Sequence, residues 1–570
     1  MKFFMQYLPI LRWARQYNSN NFRDDSLAAL IVSVMLIPQA LAYALIAGLP
    51  PQLGLYASIL PLLAYSLFGS SKALSVGPVA VISLMTAVAL GSLSLQSLDE
   101  YITAALTLAV LTGLFLLLLG ALRLGFLANF MSHPVVSGFV TASAIIIILS
   151  QTQHLLGTQS AGYTLPSLLY TLWQSLPSLN WFTVGISVWI LTWLFWARTA
   201  MVRLLMRIGI ADKIALLLAR LSPVFAVLVS AIVVAWLNLE QRGVATIGAV
   251  EGGLPSLVLP SFSVGVWQQL AGSAALLGTI AFVESISVAQ GLAARRRERI
   301  DPNQELIGLG AANIASGISS GFPVAGGFSR SVVNHDAGAA TPAAGIIAAI
   351  FIAIVCLYLT PVLSLFPKAT LAATIIVAAW SLLDFSVLRK SWHYSKADFC
   401  AVTVTIALTL FTGVEIGVAA GILVSLLIHI YKTSRPHVVE VGEVPGTEHF
   451  RNINRHQVET HPSILSIRVD ESLYFANSRY LEDVIYSMVA KRDDLKHVIL
   501  MCTAVNEVDL SALESVLAIN RRLRELGIKL HMSEVKGPVM DSLVRVDFLT
   551  KLSGNVYMSQ HQAVEALKPK

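Results

Sequence analysis

A single arginine, Arg330, stands in the otherwise uncharged stretch GGFSRSVVN, whose residues are small or apolar enough to lie within a bilayer. An arginine at the centre of a bilayer costs at least a few kcal/mol and is rarely left without a partner. The best acidic candidate is Glu284, in the apolar stretch GTIAFVESISVAQGL. Two interpretations stay open: Arg330 binds a negatively charged ligand and faces Glu284 when the site is empty, or the two residues form a permanent ion pair that only joins two helices.

The composition places these residues in a membrane protein. Of the 570 residues, 55% are hydrophobic and only 13% are charged, whereas soluble domains carry about 25% charged residues. The net charge of +6 is explained by basic cytoplasmic loops and requires no nucleic acid. The cysteines Cys356, Cys400 and Cys502 lie far apart and predict neither a metal site nor a disulfide.

Apolar segments of spanning length recur before Pro436, and a spanning helix needs about 20 apolar residues. The last of the clear segments is long enough for two helices that meet near Gly413. The clear segments cover roughly residues 26–47, 53–69, 101–122, 133–155, 180–197, 222–238, 268–291, 341–363, 369–385 and 398–432.

Two further segments differ from ordinary spans. Residues 75–92 follow a polar break and begin near Gly77-Pro78, and residues 327–340 are short, rich in glycine and contain Arg330. A pair of short segments interrupted by Gly or Pro in the two halves of a membrane protein is a good sequence indicator of a binding site.

Basic residues predict the orientation of the chain in the membrane. Arg12 and Arg15 precede the first span and Lys432 follows the last, whereas loops such as 156–179 lack Lys and Arg. The positive-inside bias therefore puts both termini in the cytoplasm with an even number of spans, which we expect to be fourteen. The cluster ARRRER (294–299) is interpreted as a topology signal rather than as a patch for lipid or nucleic acid.

Residues 436–570 have the character of a soluble α/β domain. The stretches SILSIRV, HVILMCTAV and IKLHMSEV read as strands, and helical periodicity lies between and after them. Strands that alternate with helices indicate a small α/β domain. We therefore predict two domains, 1–435 in the membrane and 436–570 in the cytoplasm.

Three long stretches, Val32 to Met85, Phe322 to Ile346 and Asp398 to Leu427, resemble signature sequences of the sulfate permease (SulP) family of anion transporters. The carboxyl-terminal domain resembles the STAS domain, with VNEVDLSALESV at its most characteristic turn. The resemblance implies a polytopic α-helical membrane protein of fourteen helices in a 7+7 inverted repeat, with a UraA-like core (helices 1–4 and 8–11) and gate (helices 5–7 and 12–14), followed by a cytoplasmic α/β STAS domain.

The resemblance also implies where an anion binds. The first turns of segments 3 and 10 are expected to face each other near mid-membrane, and their free N–H groups and helix dipoles favour an anion. Gly77 and Pro78 would open segment 3, where proline suits a first turn. The other substrate-binding residues that the resemblance implies are Gln39 as a polar contact, Tyr43 as an aromatic wall, Val79 where vertebrate relatives carry phenylalanine, and Phe328, Ser329 and Arg330 on segment 10.

The resemblance makes Glu284 the candidate coupling residue, which takes up a proton as the anion arrives. Some family members use sodium, with a hydroxyl one turn after this acid. Here that position is Val288, which favours a proton, although Ser285 and Ser287 keep sodium open.

The expected function is secondary active transport of sulfate, bicarbonate or dicarboxylate, by proton-coupled uptake or by exchange, through an elevator-like movement of core against gate. Sodium-coupled bicarbonate transport is the alternative, and a channel-like anion conductor or a nucleobase transporter are alternatives of another class. We expect no enzyme activity, no cofactor and no metal. The expected setting is a bacterial inner membrane, with lipid contacts, a homodimer and a regulatory protein at the STAS domain. Ser511 is either a phosphorylation site or only a helix N-cap.

Overall fold

The computed structural model describes residues 8–569, apart from residues 94, 131, 160–161, 212–214, 216–217, 220 and 249. The chain falls into two compact units, Met1–Ser425 and Leu426–Lys570. The division lies inside the last apolar helix and not at Pro436, so the predicted domain limits of 1–435 and 436–570 stay a prediction.

The first unit is built of helices, which we number α1 to α14 along the described residues. Seven of them are long and apolar enough to cross a bilayer. Several begin at a residue suited to a helix start: the side chains of Asn18, Ser97 and Asp301 accept backbone N–H groups of the first turn. The helices are α1 Ser19–Ile46, α2 Pro51–Phe68 (with a turn after Tyr56), α3 Ala80–Gly91, α4 Leu98–Ala121, α5 His133–Leu156, α6 Trp181–Arg207, α7 Ser222–Trp236, α8 Val264–Arg295, α9 Pro302–Ile318, α10 Phe328–Asp336, α11 Ala343–Tyr358, α12 Lys368–Trp380, α13 Lys396–Phe411 and α14 Val414–Ser434.

Shorter helices lie outside this set and connect or flank the long ones. They are Ile10–Trp13, Ala14–Gln16, Leu124–Phe130, Leu165–Ser175, Leu176–Ser178, Leu239–Arg242, Thr360–Leu363 and Ser386–Tyr394.

Helix α9 is absent from the apolar segments recognised in the sequence, although fourteen spans were expected. Its first half carries Gln304 and Glu305 and its second half Asn313, so its hydropathy is too low for a span to stand out. Folding buries all three polar residues. The helix packs mainly against α4 and α2, which sequence hydropathy could not indicate.

Helix contacts among the described residues agree with the two expected groups for most of these helices. In the core, α9 packs on α4 and α2, α8 packs on α4, and α11 packs on α1. In the gate, α5 packs on α12 and α13, and α6 packs on α12. Helix α1 meets the gate through α12 and α7, so it lies where the two groups face each other.

The two halves of the unit correspond at their third helices. Strand β1 (Val76–Gly77) precedes the short helix α3, and strand β2 (Ala325–Gly326) precedes the short helix α10. The two strands pair antiparallel, with Val76 opposite Gly326 and Gly77 opposite Ala325. Equivalent parts of the two halves therefore meet at the centre of the unit.

A buried carboxylate joins α9 to the connection that follows α2. Glu305 is 0% exposed, and its Oε2 accepts the Tyr65 hydroxyl at 2.8 Å. Its Oε1 accepts the Ser70 N–H at 2.8 Å, the Ser70 hydroxyl at 2.6 Å and the Ser71 N–H at 3.0 Å. This network holds the loop that leads into β1, and the sequence patterns did not indicate it.

The second unit contains a six-stranded sheet of order β4-β3-β5-β6-β7-β8. Strands β5 to β8 are parallel, and β3 lies antiparallel to both β4 and β5. The predicted strands β5, β6 and β7 and the predicted helices α15, α16 and α18 are confirmed, whereas β3, β4, β8 and α17 were not predicted. The elements are β3 Val438–Glu443, β4 Phe450–Asn452, β5 Ile464–Val469, α15 Ser478–Val489, β6 His497–Met501, α16 Leu510–Glu525, β7 Lys529–Ser533, α17 Gly537–Val544, the short helix Phe548–Lys551, β8 Val556–Tyr557 and α18 Gln560–Leu567.

The Glu305 network yields a stability prediction. Glu305→Ala removes the acceptor of four hydrogen bonds, and each buried donor left unpaired costs roughly 1–3 kcal/mol. We expect a clear fall in the apparent melting temperature of the detergent-purified protein, followed by intrinsic fluorescence. Glu305→Gln keeps a carbonyl oxygen for the serine donors and should lose much less; equal melting temperatures for the parent and Glu305→Ala would contradict the assigned role.

Candidate functional site

The paired strands β1 and β2 bring the starts of α3 and α10 together. The Gly327 N–H donates to the Ser75 carbonyl at 3.0 Å and extends the pairing by one residue. Helix α3 starts after Val79 and α10 starts after Gly327, and at neither start does the preceding residue's side chain cap the helix. The first-turn N–H groups of both helices therefore keep their capacity to bind an anion.

Buried serine and asparagine side chains hold this crossing in place. The Ser331 hydroxyl accepts the Ser75 N–H at 2.9 Å, and Asn334 donates to the Ala73 carbonyl at 3.1 Å. On the other side, the Ser285 hydroxyl of α8 accepts the Gly326 N–H at 2.8 Å. Because these bonds cross between segments far apart in the chain, the two helix starts are fixed relative to each other.

Arg330 lies inside this crossing and is only 2% exposed. Its Nη1 donates to the Pro78 carbonyl at 2.7 Å. Its Nε and Nη2 are buried without a hydrogen-bond partner among the described residues. A buried guanidinium with unused donors is costly, and an anion placed at these donors would satisfy them.

Two glycines make room for the guanidinium. A Cβ atom added at Gly327 would lie 2.8 Å from Nη2 of Arg330, and one added at Gly77 would lie 3.4 Å from the same atom. The first distance is too short for real atoms, so a residue with a side chain at position 327 must displace the guanidinium. The close approach of Arg330 therefore requires glycine at position 327, whereas the 3.4 Å distance at Gly77 is close to ordinary van der Waals contact.

The permanent ion pair between Arg330 and Glu284 is not present. Glu284 is partly buried on α8, and no pair of its oxygens and the guanidinium nitrogens falls within 4.0 Å. The two groups are near enough to influence each other electrostatically, as is the Tyr43 hydroxyl. The direct partner of Arg330 is the Pro78 carbonyl and not the Glu284 carboxylate, because the β1–β2 pair places this carbonyl at hydrogen-bonding distance.

Ser285 and Ser287, the possible sodium ligands near Glu284, form hydrogen bonds with the backbone. The Ser285 hydroxyl donates to the Ala281 carbonyl at 2.5 Å while it accepts the Gly326 N–H. The Ser287 hydroxyl donates to the Val283 carbonyl at 2.6 Å. Ser285 thus serves to join α8 to β2.

Three of the predicted residues line an open cavity of about 450 Å³. Gln39 reaches it from α1, and Phe328 and Ser329 reach it from the first turn of α10. Tyr43 and Val79 are buried, at 7% and 6% exposure, and do not line it. The predicted set therefore divides into a buried group around Arg330 and a group that faces the cavity.

Arg198 lines the same cavity and was not among the predicted site residues. It lies in a π-helical turn of α6, Ala197–Met201, and its Nη1 donates to the Val377 carbonyl at 3.2 Å. Among the residues that line this cavity it is the one with a formal charge. The sequence offered no usable signal for this role: π-turns often mark functional sites but cannot be recognised from residue types, and a basic residue at the end of a span is interpreted as a topology signal.

Two predicted details are wrong. Pro78 does not lie in the first turn of α3, because Gly77 belongs to β1 and the helix starts only at Ala80; its contribution is the carbonyl that binds Arg330. Ser511 is not the N-cap of α16, because the Asp509 side chain caps this helix by accepting the Ala512 N–H at 2.8 Å. Ser511 is exposed in the first turn, and its phosphorylation stays a prediction.

A bilayer-spanning helical unit with a core, a gate and a buried site between two helix starts defines a membrane transporter with a carboxyl-terminal STAS domain. The family model of the sulfate permease family matches residues 22–405, and that of the STAS domain matches residues 455–563. The chain belongs to the sulfate permease family.

Known proteins resemble the chain over nearly its whole length. Sulfate transporter 4.1, chloroplastic, of Arabidopsis thaliana is 33% identical, covering 98% of this chain and 82% of its own length. A probable sulfate transporter of Mycobacterium tuberculosis is 33% identical over 97% of each chain. The solved structure of SLC26A9 shares the fold with a TM-score of 0.90 at 23% identity, covering 99% of this chain and 93% of its own.

The tight fit at Gly327 yields a prediction about binding. In Gly327→Ala the added methyl group displaces the guanidinium, so we expect at least a tenfold loss of affinity for a small oxyanion, with sulfate as the probe, since a charge-assisted hydrogen bond contributes roughly 1.5–3 kcal/mol. Isothermal titration calorimetry of the purified protein measures this affinity. Gly272→Ala on α8, where nothing lies within 4 Å of the added carbon, is the matched control. Equal affinities for both variants would contradict the geometry.

Proposed function

We propose that the protein is a secondary active transporter of small anions, which bind between the starts of α3 and α10 at the free donors of Arg330. The observation that carries the proposal is the buried guanidinium, whose Nε and Nη2 have no partner among the described residues. Anion transport as such agrees with the family to which the chain belongs. Two helix N-termini and one arginine suit a compact anion with several oxygen atoms.

Sulfate is the substrate that we propose. The relatives from Arabidopsis thaliana and Mycobacterium tuberculosis carry the name of sulfate transporters, and a tetrahedral oxyanion can accept N–H groups from both helix starts and from Arg330 at once. Backbone N–H groups and one arginine recognise charge more than shape, so bicarbonate and dicarboxylates are the competitors against which uptake is compared. Uptake of uracil would point to a nucleobase transporter, and currents far above carrier rates to a channel.

Proton coupling rests on Glu284. This carboxylate lies near Arg330 without forming an ion pair with it, on a helix where the Ser285 hydroxyl already donates to Ala281 and accepts from Gly326. A carboxylate in this place can take up a proton when a second negative charge enters the site. Sodium needs several oxygen ligands, and Val288 supplies none. We therefore favour a proton over sodium as the coupling ion, with anion exchange as a partial reaction.

The cavity supports an alternating movement of core against gate. Its lining comes from α1 and α10 of the core and from α6, α7 and α12 of the gate. Arg198 gives the gate side of the cavity a positive charge, which attracts anions toward the site. An elevator-like displacement of the core would carry Arg330 and its anion past the gate helices.

The remaining parts of the proposal concern the setting of the transporter. We propose a bacterial inner membrane with both termini in the cytoplasm, from the distribution of basic residues, and a homodimer. The carboxyl-terminal domain has its own sheet and core, which supports an accessory role in assembly or rate, with Ser511 as the candidate regulatory site.

Arg330 should be required for binding rather than for folding. Arg330→Ala removes the charge and all the free donors, so we expect at least a tenfold rise in the Kd for sulfate, as charge-assisted hydrogen bonds contribute roughly 1.5–3 kcal/mol. Titration calorimetry measures the Kd, and size-exclusion chromatography checks that the variant is folded. Arg203→Ala, an exposed arginine that contacts only its own helix, removes the same charge elsewhere. A Kd for Arg330→Ala within twofold of the parent would refute the assignment.

Glu284 should set the response to a proton gradient. In proteoliposomes, an inward proton gradient is expected to raise sulfate uptake, and replacement of Na⁺ by K⁺ should have no effect. Glu284→Gln cannot release or take up the proton and should lose the stimulation, while exchange of sulfate for sulfate continues. Glu305 is also a buried acid, but it is bound by Tyr65 and the serines. Glu305→Gln should therefore keep the stimulation of sulfate uptake by the proton gradient. A strict sodium requirement would exclude proton coupling.

A further inference from the structure

The second unit carries a basic pocket, which we define by Arg451, Arg455, Arg468, His437 and His456. It encloses about 460 Å³, and Asp470 is the acid that lines it together with these residues. Three arginines against one aspartate leave a positive charge in the pocket before either histidine is counted. None of these residues takes part in the anion site around Arg330.

Asp470 is already engaged within the pocket. It accepts Nε and Nη2 of Arg468 at 2.6 Å and 3.1 Å, and it lies 2.7 Å from Nδ1 of His437. Burial raises the pKa of Asp470, but the hydrogen bonds and charges of Arg468 and His437 outweigh it and hold the pKa below its ordinary value. The carboxylate of Asp470 is therefore already paired with Arg468 and His437, two of the five basic residues.

Arg451 and Arg455 keep their donors for a ligand. Both side chains are exposed; Arg451 donates one long bond, of 3.3 Å, to the neighbouring Phe450 carbonyl, and the Arg455 side chain has no hydrogen bond or ion pair with the described residues. Their backbone is well fixed, because Arg451 lies in β4 and buried Asn452 accepts the N–H of Arg455 at its carbonyl. Two guanidinium groups on a firm edge of the sheet match the oxygen atoms of a phosphate group.

The pocket residue His437 follows closely in the chain after the last apolar helix, α14. Helix α14 has 21 residues and so is about 31 Å long, close to the hydrocarbon thickness of about 30 Å. His437 follows Ser434, the last residue of this helix, by three residues, which span at most about 11 Å. The end of α14 belongs to the same compact unit as the pocket, and Asn477 of that unit donates to the Thr433 carbonyl of α14.

We propose that the basic pocket binds a phosphate group, and that its source is the headgroup of an anionic phospholipid at the membrane surface. The nearness of the pocket to the end of α14 favours a lipid over a soluble phosphate ester. A zwitterionic lipid adds a positive charge that the arginines disfavour, so selectivity for anionic lipid follows from charge. Such a lipid would anchor this edge of the domain to the bilayer.

The test uses the delipidated full-length chain in a non-ionic detergent, with bound phosphatidylglycerol counted by native mass spectrometry. The double variant Arg451→Gln/Arg455→Gln should bind phosphatidylglycerol roughly 30-fold more weakly than the parent, since each basic residue near an anionic lipid contributes about a factor of five. The matched control Arg521→Gln/Arg524→Gln removes two exposed arginines from α16 of the same unit and should bind as the parent does. Binding of phosphatidylcholine should be the same in the parent and in both double variants.

Three outcomes would overturn the proposal. Unchanged phosphatidylglycerol binding in Arg451→Gln/Arg455→Gln would exclude the pocket. An equal loss in both double variants would show that net charge, and not the pocket, attracts the lipid. Glycerol phosphate, which has the headgroup without acyl chains, tests the source: binding as tight as that of phosphatidylglycerol, lost with Arg451 and Arg455, would replace the lipid by a soluble phosphate ester.

Discussion

The buried guanidinium of Arg330 is the constraint on which the centre of the membrane unit depends. Its Nη1 donates a hydrogen bond of 2.7 Å to the Pro78 carbonyl, which belongs to the other half of the membrane unit. Its two other nitrogen atoms have no partner among the described residues. A charge in this condition is tolerated only where its neighbours are fixed and a compensating anion can approach. The unpaired donors of Arg330 are the basis of the proposed anion site.

The surroundings of Arg330 are explained by this requirement. Glycine at position 327 leaves the space that the guanidinium fills, and the β1–β2 pair sets the Pro78 carbonyl at the right distance. Ser285 and Ser331 tie the two paired strands to α8 and α10. These contacts all lie within the core.

Hydropathy, glycine and proline spacing and the family signatures predicted much of this architecture. The short segments near Gly77 and Arg330 stood out because they interrupt apolar sequence, and they do meet in space. Helix α9 could not be recognised from hydropathy, because Glu305 and its polar neighbours lower the hydropathy of this segment. The polar groups of Glu305 find their hydrogen-bond partners only in the folded protein. The carbonyl partner of Arg330 could not be predicted either, because backbone carbonyls carry no sequence signal. Only the pairing of β1 with β2 shows that Pro78, and not Glu284, is the direct partner of Arg330.

The central claim is that the free donors of Arg330 and the starts of α3 and α10 hold the transported anion. The most direct measurement is a cryo-electron microscopy structure of the full-length protein with selenate, a heavier analogue of sulfate, compared with a structure without it. We expect one additional density within hydrogen-bonding distance of the Arg330 guanidinium and of the N–H groups after Val79 and Gly327. Selenate density elsewhere in the membrane unit, with the Arg330 donors satisfied by another protein group, would contradict it.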